Sequence, residues 1–346
     1  MMKVIIAAIV IWSMVIPAGA SEIAAPEVPA SGAERMPANT DSFGEALLEL
    51  LEKSIQLIYP DLQEAAEVCA AIVFVAFVLS ILPVLSQRIH ASAEIAGALM
   101  IATVIFQHAN SMILLAADTV RDIFEYGKLL CQAMTAALAA QGSVTTSTAL
   151  YIGTTFFISF LGSLISKIII PAICFFLAFA VANCALGDEL LKRAADTIKG
   201  GLTWFLKTLL ILFTTYMSIT GVVSGTTDLA ALKTAKIVIS AVVPVVGGIL
   251  ADSSEAVLIS IRLMKNAAGI YGMLAVLAIF IGPFLKIGVH YVMLRLSALL
   301  CSTFGNKRIS VLADHLSGAM SLLLGTVAAG CVLVLISTIC FLKGTG

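Results

Sequence analysis

Residues Leu150 to Leu186 read LYIGTTFFISFLGSLISKIIIPAICFFLAFAVANCAL, 37 residues carrying one charge, Lys167, and one proline, Pro171. A helix needs about 20 apolar residues to cross the roughly 30 Å hydrocarbon core of a bilayer. This run is too oily for a water-soluble core and too long for one ordinary span. Either it makes two short spans that turn near Ser166 and Lys167, or it is one long helix broken there. The Lys192, Arg193 and Lys199 cluster that follows belongs on the cytoplasmic side by the positive-inside rule. With an external N-terminus, that placement favours one crossing.

The same character extends outward from Ala65 to Leu342. Apolar residues make up 60% of the chain and charged residues 12%, and the mean hydropathy is +1.07. A soluble domain is about 25% charged. Lipid offers no hydrogen-bond partners, so only helices or closed barrels span it. The runs are continuous, without strict alternation, and this excludes a barrel. The expected fold is all-α: a polytopic transmembrane helical protein with six or seven spans, interfacial amphipathic helices and one broken or re-entrant segment. The net charge of −1 says little about partners for a surface that faces mostly lipid.

Three regions follow along the chain. Residues 1–20 read as a signal peptide: Lys3, an apolar stretch from Val4 to Ile16, Pro17, then a small-residue site with cleavage between Ala20 and Ser21. Residues 21–64 form an extracytoplasmic linker and an amphipathic helix. The linker, 21–41, is rich in Ala, Pro, Glu and Ser and is expected to be disordered. Ser42 and Glu45 have capping-box spacing. Phe43, Leu47, Leu51, Ile55 and Ile58 then recur at helical steps. That helix either lies on its own membrane domain or docks a partner.

Residues 65–346 form the membrane domain. Its expected spans are Ala65–Leu85, Ile95–Ala117, the 150–186 run, Leu202–Val223, Asn266–Ile287 and Ser317–Leu342. Residues 118–135 carry Asp118, Arg121, Asp122, Glu125, Lys128 and Gln132 on one face, which predicts a separate interfacial helix with an Arg121–Glu125 pair. Residues 237–250 are apolar but short, and Pro244, Gly247 and Gly248 interrupt them, the pattern of a broken helix suited to a gate.

No catalytic signature stands out. There is no GxxxxGK[ST] phosphate loop, so the chain is not an ATPase, and no GxSxG nucleophile elbow. His90, His108, His290 and His315 are dispersed along the chain and match no HExxH spacing, so no metal or cofactor is expected. The seven cysteines form no CxxC pair and read as small hydrophobes. Nothing points to nucleic acid. The intramembrane polar candidates are His108, Asn110, Lys167, Lys207 and Lys286. The lysines either sit at helix ends and snorkel or mark a functional path. His108 with Asn110 reads as interhelical hydrogen bonding or a proton relay.

The most distinctive stretch is 226–272, TTDLAALKTAKIVISAVVPVVGGILADSSEAVLISIRLMKNAAGIYG. Its landmarks are Lys233, Thr234, Ala235 and Lys236, then Pro244 with Gly247 and Gly248, then Asp252, then Lys265, Asn266 and Gly269. In order and spacing it resembles the stage III sporulation protein AE family of endospore-forming bacteria. The resemblance implies a non-catalytic membrane subunit of a channel or secretion-like complex between mother cell and forespore. It implies a location in the mother-cell-derived membrane around the forespore. The implied partners are other stage III sporulation membrane proteins, including a separate ATPase subunit. The alternative from the residues alone is an autonomous small-solute transporter.

Overall fold

The computed structural model describes residues 26–38, 43–85, 90–140, 144–222 and 267–343. The signal segment, with Ala20 and Ser21, lies outside them. So does the stretch holding Lys233 to Lys236, Pro244, Gly247, Gly248, Asp252, Lys265 and Asn266.

Every described element is helical. In chain order they are α1 (Ala30–Ala33), α2 (Phe43–Leu57), α3 (Tyr59–Leu85), α4 (His90–Ala140), α5 (Val144–Leu164), a π-helical turn (Ile165–Ile169), α6 (Ile170–Leu186), α7 (Glu189–Val222), α8 (Ala267–Thr303) and α9 (Lys307–Lys343). Four helical stretches are long and apolar enough to cross a membrane: Tyr59–Ile81, Leu150–Leu186, Gly269–Thr303 and Lys307–Leu342. These four overlap the expected spans Ala65–Leu85, 150–186, Asn266–Ile287 and Ser317–Leu342, and the full count of six or seven stays an expectation.

The 150–186 run is one continuous helical rod. The chain does not reverse at Ser166 and Lys167; it widens into the π turn and continues. Pro171 supplies the reason. A proline removes one backbone donor and crowds the carbonyl four residues back, and a π turn absorbs that locally. The rod ends at Gly187, whose φ of 70° few side chains tolerate, with its N–H bonded to the Asn183 carbonyl at 2.7 Å.

Two expected boundaries do not exist. Residues 118–135 are no separate interfacial helix but the second half of α4, which runs unbroken for 51 residues. Nothing between Ala117 and Asp118 breaks a helix. The charged face stays outside, with Arg121 within 3.6 Å of Asp118 and 3.9 Å of Glu125. The other face buries Ile123, Phe124, Tyr126, Leu130, Cys131 and Met134. Likewise α8 passes through Pro283 to Thr303, joining the expected span to the apolar stretch behind it.

The centre of the bundle is the α8–α9 hairpin, turned by Phe304 to Asn306; α4 and α7 pack on α9, and α3 packs on α8. In the apolar stretch of α9, 61% is buried within the protein, against 28% for that of α3, so α9 is the internal helix. Outward faces carry Phe74, Ile152, Phe156, Phe175, Trp204 and Leu212, all exposed. Such a coat of large apolar side chains suits lipid. Inside, hydroxyls are satisfied by their own helices: Thr214, Thr326, Ser337 and Thr338 each donate to the carbonyl four residues back, at 2.8–2.9 Å.

The N-terminal linker differs from its expectation over residues 26–38. Gly32 is buried so tightly on α8 that a Cβ there would stand 2.9 Å from Ile279 Cγ1 and 3.0 Å from its backbone nitrogen. Ser31 Oγ donates to Asp122 Oδ2 at 2.8 Å, fastening the segment to α4. α2 lies on its own membrane domain, burying Phe43, Ala46, Leu50 and Ser54. Leu50 packs with Ala278 and Ile281 of α8. Its buried face is rotated from the expected one, since Ile55 is exposed.

Candidate functional site

α8 lines up Lys286, His290, Met293 and Ser297 at steps of four, three and four, so all four project from one face. Opposite, the first turns of α3 present Asp61, Glu64, Val68 and Cys69. α4 adds His108 and Met112, and α9 adds Met320.

Lys286 Nζ lies 2.8 Å from Asp61 Oδ1 and 3.2 Å from Glu64 Oε2. The other oxygen of Glu64, Oε1, is 3.5 Å from His108 Nδ1. Glu64 thus bridges a lysine on α8 and a histidine on α4. His290 is 3% exposed. Its Nδ1 is 3.0 Å from the Lys286 carbonyl. A carbonyl only accepts, so Nδ1 carries the proton and Nε2 keeps its lone pair. Nε2 is buried without a hydrogen-bond partner among the described residues. His108 and His290 line a cavity of about 10 Å³, closed by Ala65, Cys69, Met112, Met293 and Met320. Below it Ser297 Oγ contacts Cys69 Sγ at 2.9 Å and bonds the Met293 carbonyl at 2.8 Å.

A second polar region lies farther along the hairpin. Arg295 of α8 pairs with Asp314 of α9. With Lys192 and Asp196 of α7, and His315, they line an open cavity of about 420 Å³. Lys199, on α7 outside the four apolar stretches, is held below the ordinary lysine value by burial and by the nearby Arg295 charge, which Asp196 partly offsets. A third is a groove of about 500 Å³ between the charged face of α4 and Ser163, Ser166 and Lys167.

The sequence candidates therefore separate. Lys286 does not end a helix; it sits mid-helix and pairs with two carboxylates of α3, because α3 starts beside the middle of α8. His108 does reach across helices, toward Glu64. Asn110 is exposed, one residue past the buried Ala109. Lys167 is exposed in the π turn and faces the α4 groove, and Lys207 is half-buried within α7. Gly269 is buried at the start of α8, where an added Cβ would stand 2.7 Å from Leu342 Cδ2. Asp61, Glu64 and His290 were missed. The signal was the spacing of Asp61, Glu64 and Val68 at the head of an apolar run, which reads as an ordinary polar helix start.

The family model of stage III sporulation protein AE matches residues 37–345. Stage III sporulation protein AE of Bacillus subtilis (strain 168) is 22% identical over 202 residues, 58% of this chain and 51% of that relative. The match thus spans about half the length of the curated relative. No solved structure matches the chain. A family match covering nearly all of the membrane domain, on a bundle with four apolar helices long enough to span a bilayer, means that the chain belongs to the stage III sporulation protein AE family.

Proposed function

We propose that this protein is an integral membrane subunit of the mother cell–forespore channel or secretion-like complex needed for endospore development. Its role in this reading is structural or passage-forming, not catalytic. The observation that carries the reading is the family match over residues 37–345. The four long apolar helices and their exposed aromatic coat support a membrane setting. The partners are other stage III sporulation membrane proteins and a separate ATPase subunit, which would supply the energy for which this sequence holds no phosphate loop. The location is the mother-cell-derived membrane around the forespore, with the mature N-terminus extracytoplasmic. Pro244, Gly247 and Gly248 are the candidate gate.

The test is deletion of the gene in its host, with microscopy of sporulating cells and copurification from a tagged strain. Engulfed forespores that shrink or stall, together with retained sporulation membrane proteins on the tag, support the reading. Normal spores would sink it. A second reading, an autonomous small-solute transporter, draws on the Asp61–Lys286–Glu64–His108 cluster, because ionisable groups between apolar helices mark many transport paths. Solute binding by the purified chain alone would favour it.

A further inference from the structure

We propose that Glu64, His108 and His290 form a site for one divalent transition-metal ion of the zinc class, held between α3, α4 and α8. Each offers one ligand atom, and the three atoms lie within 4.8 Å of one another. His108 Nδ1 and Glu64 Oε1 are already 3.5 Å apart. Two ligand atoms on one tetrahedral zinc, with bonds of about 2.0–2.1 Å, stand about 3.4 Å apart. Glu64 and His108 are only half-buried, so their side chains can rotate to close the remaining gap toward His290.

His290 is the independent observation. It is 3% exposed, its Nε2 has no partner among the described residues, and the residue is one of those that line the cavity. Its Nδ1–H is committed to the Lys286 carbonyl. That is how metal-binding histidines are held: one nitrogen donates to a carbonyl or carboxylate, and the other turns its lone pair to the ion. A buried imidazole nitrogen without a partner is otherwise a cost with nothing to offset it.

The surroundings complete the site. Lys286 pairs with the far oxygen of Glu64 and leaves Oε1 to His108, while Asp61 takes up the lysine charge at 2.8 Å. Two carboxylates and one ammonium leave one net negative charge beside the histidines, which favours a cation. Two imidazoles and one carboxylate suit zinc-class ions and are a poor set for magnesium or calcium, which want oxygens throughout. Three protein ligands leave a fourth position on a tetrahedral ion, and the cavity that both histidines line is small and apolar, about 10 Å³. Met112, Met293 and Met320 wall it off. The histidines are remote in sequence and become neighbours only through the packing of α4 on α8, so no motif announces them.

The experiment uses the full chain purified in mild detergent and stripped with a chelator. It is dialysed against micromolar Zn2+ in excess Mg2+, and bound metal is counted by mass spectrometry. Visible absorption of added Co2+ reports the coordination. The expected result is one Zn2+ per chain and a Co2+ spectrum of low coordination number. Glu64→Gln, His108→Ala and His290→Gln should each weaken binding at least tenfold. His315→Gln, outside the cluster, should change nothing. Helical circular dichroism and elution position verify folding. If a variant misfolds, wild-type stoichiometry decides alone. Well under one Zn2+ per wild-type chain overturns the proposal. So does a full equivalent that persists in all three folded variants.

Discussion

Exchanging the charges of Asp61 and Lys286 probes the contact that joins the start of α3 to the middle of α8. Lys286 Nζ stands 2.8 Å from Asp61 Oδ1 and 3.2 Å from Glu64 Oε2, with the lysine and Asp61 side chains about one quarter exposed. At an effective dielectric near 20, unit charges at 2.8 Å attract by about 6 kcal/mol before desolvation. Desolvation and side-chain ordering take most of that back. Exposed pairs net about 0–1 kcal/mol, and breaking a buried pair costs about 3–5 kcal/mol. A quarter-exposed pair falls between, so Lys286→Met should cost about 2 kcal/mol, part of it from leaving Asp61 and Glu64 facing each other. Lys286→Asp, with three carboxylates together, should cost more. The double exchange Asp61→Lys with Lys286→Asp restores an attractive pair and should recover at least half of that loss. The assay is equilibrium unfolding in mixed detergent micelles, followed by circular dichroism, as a double-mutant cycle. A double variant no more stable than the worse single variant, or effects that add to within about 0.5 kcal/mol, would refute the pairing.

Phe213 is fully buried, with its ring edge-on to Phe157 at a centroid distance of 5.3 Å. Phe213→Ala should cost about 3–5 kcal/mol in the same unfolding assay, whereas Trp204→Ala, at a site 67% exposed, should stay within about 0.5 kcal/mol. Glu49 is held below the ordinary carboxylate value first by the hydrogen bond from Lys53 and next by that from the Ala38 N–H, at 3.2 Å. Because its folded value is depressed, the stabilisation is present above the ordinary carboxylate range and is lost as pH falls through the folded value. Hydrogen-exchange protection of the Ala38 amide should therefore drop on acidification, and Glu49→Gln should remove that drop. If the continuous rod from Leu150 to Leu186 crosses the bilayer once, cysteines placed at Thr148 and Arg193, with reactive native cysteines replaced, should label from opposite sides; labelling from one side would mean a double crossing.

Much of the helical layout was legible because its causes are local. Pro171 and Lys167 mark where the 150–186 rod changes its winding, and the π turn lies there. Arg121 and Glu125 pair as their spacing of four requires. The boundary misreadings have one origin. Charges, on residues 118–135 and at Lys286 beside Ile287, look like boundaries when only the chain is in view. A helix ends only where its backbone bonds find a better alternative, and packing on α8 and α9 gives α4 none. α8 likewise tolerates Pro283 within its 37 residues. The buried face of α2 was misplaced by a rotation, because Leu50 packs on Ala278 and Ile281 of α8, a contact that no local spacing encodes.

By itself the sequence determined that this chain is helical and made for lipid. Hydrophobic run length and backbone hydrogen bonding in oil are properties of each segment alone. Only the tertiary structure decided which charges distant in the chain meet. Glu64 and Lys286 lie 222 residues apart, and His108 and His290 carry no shared spacing. In an apolar bundle a charged side chain is driven to find a partner wherever packing offers one. That choice depends on which helices become neighbours, and no local period encodes it.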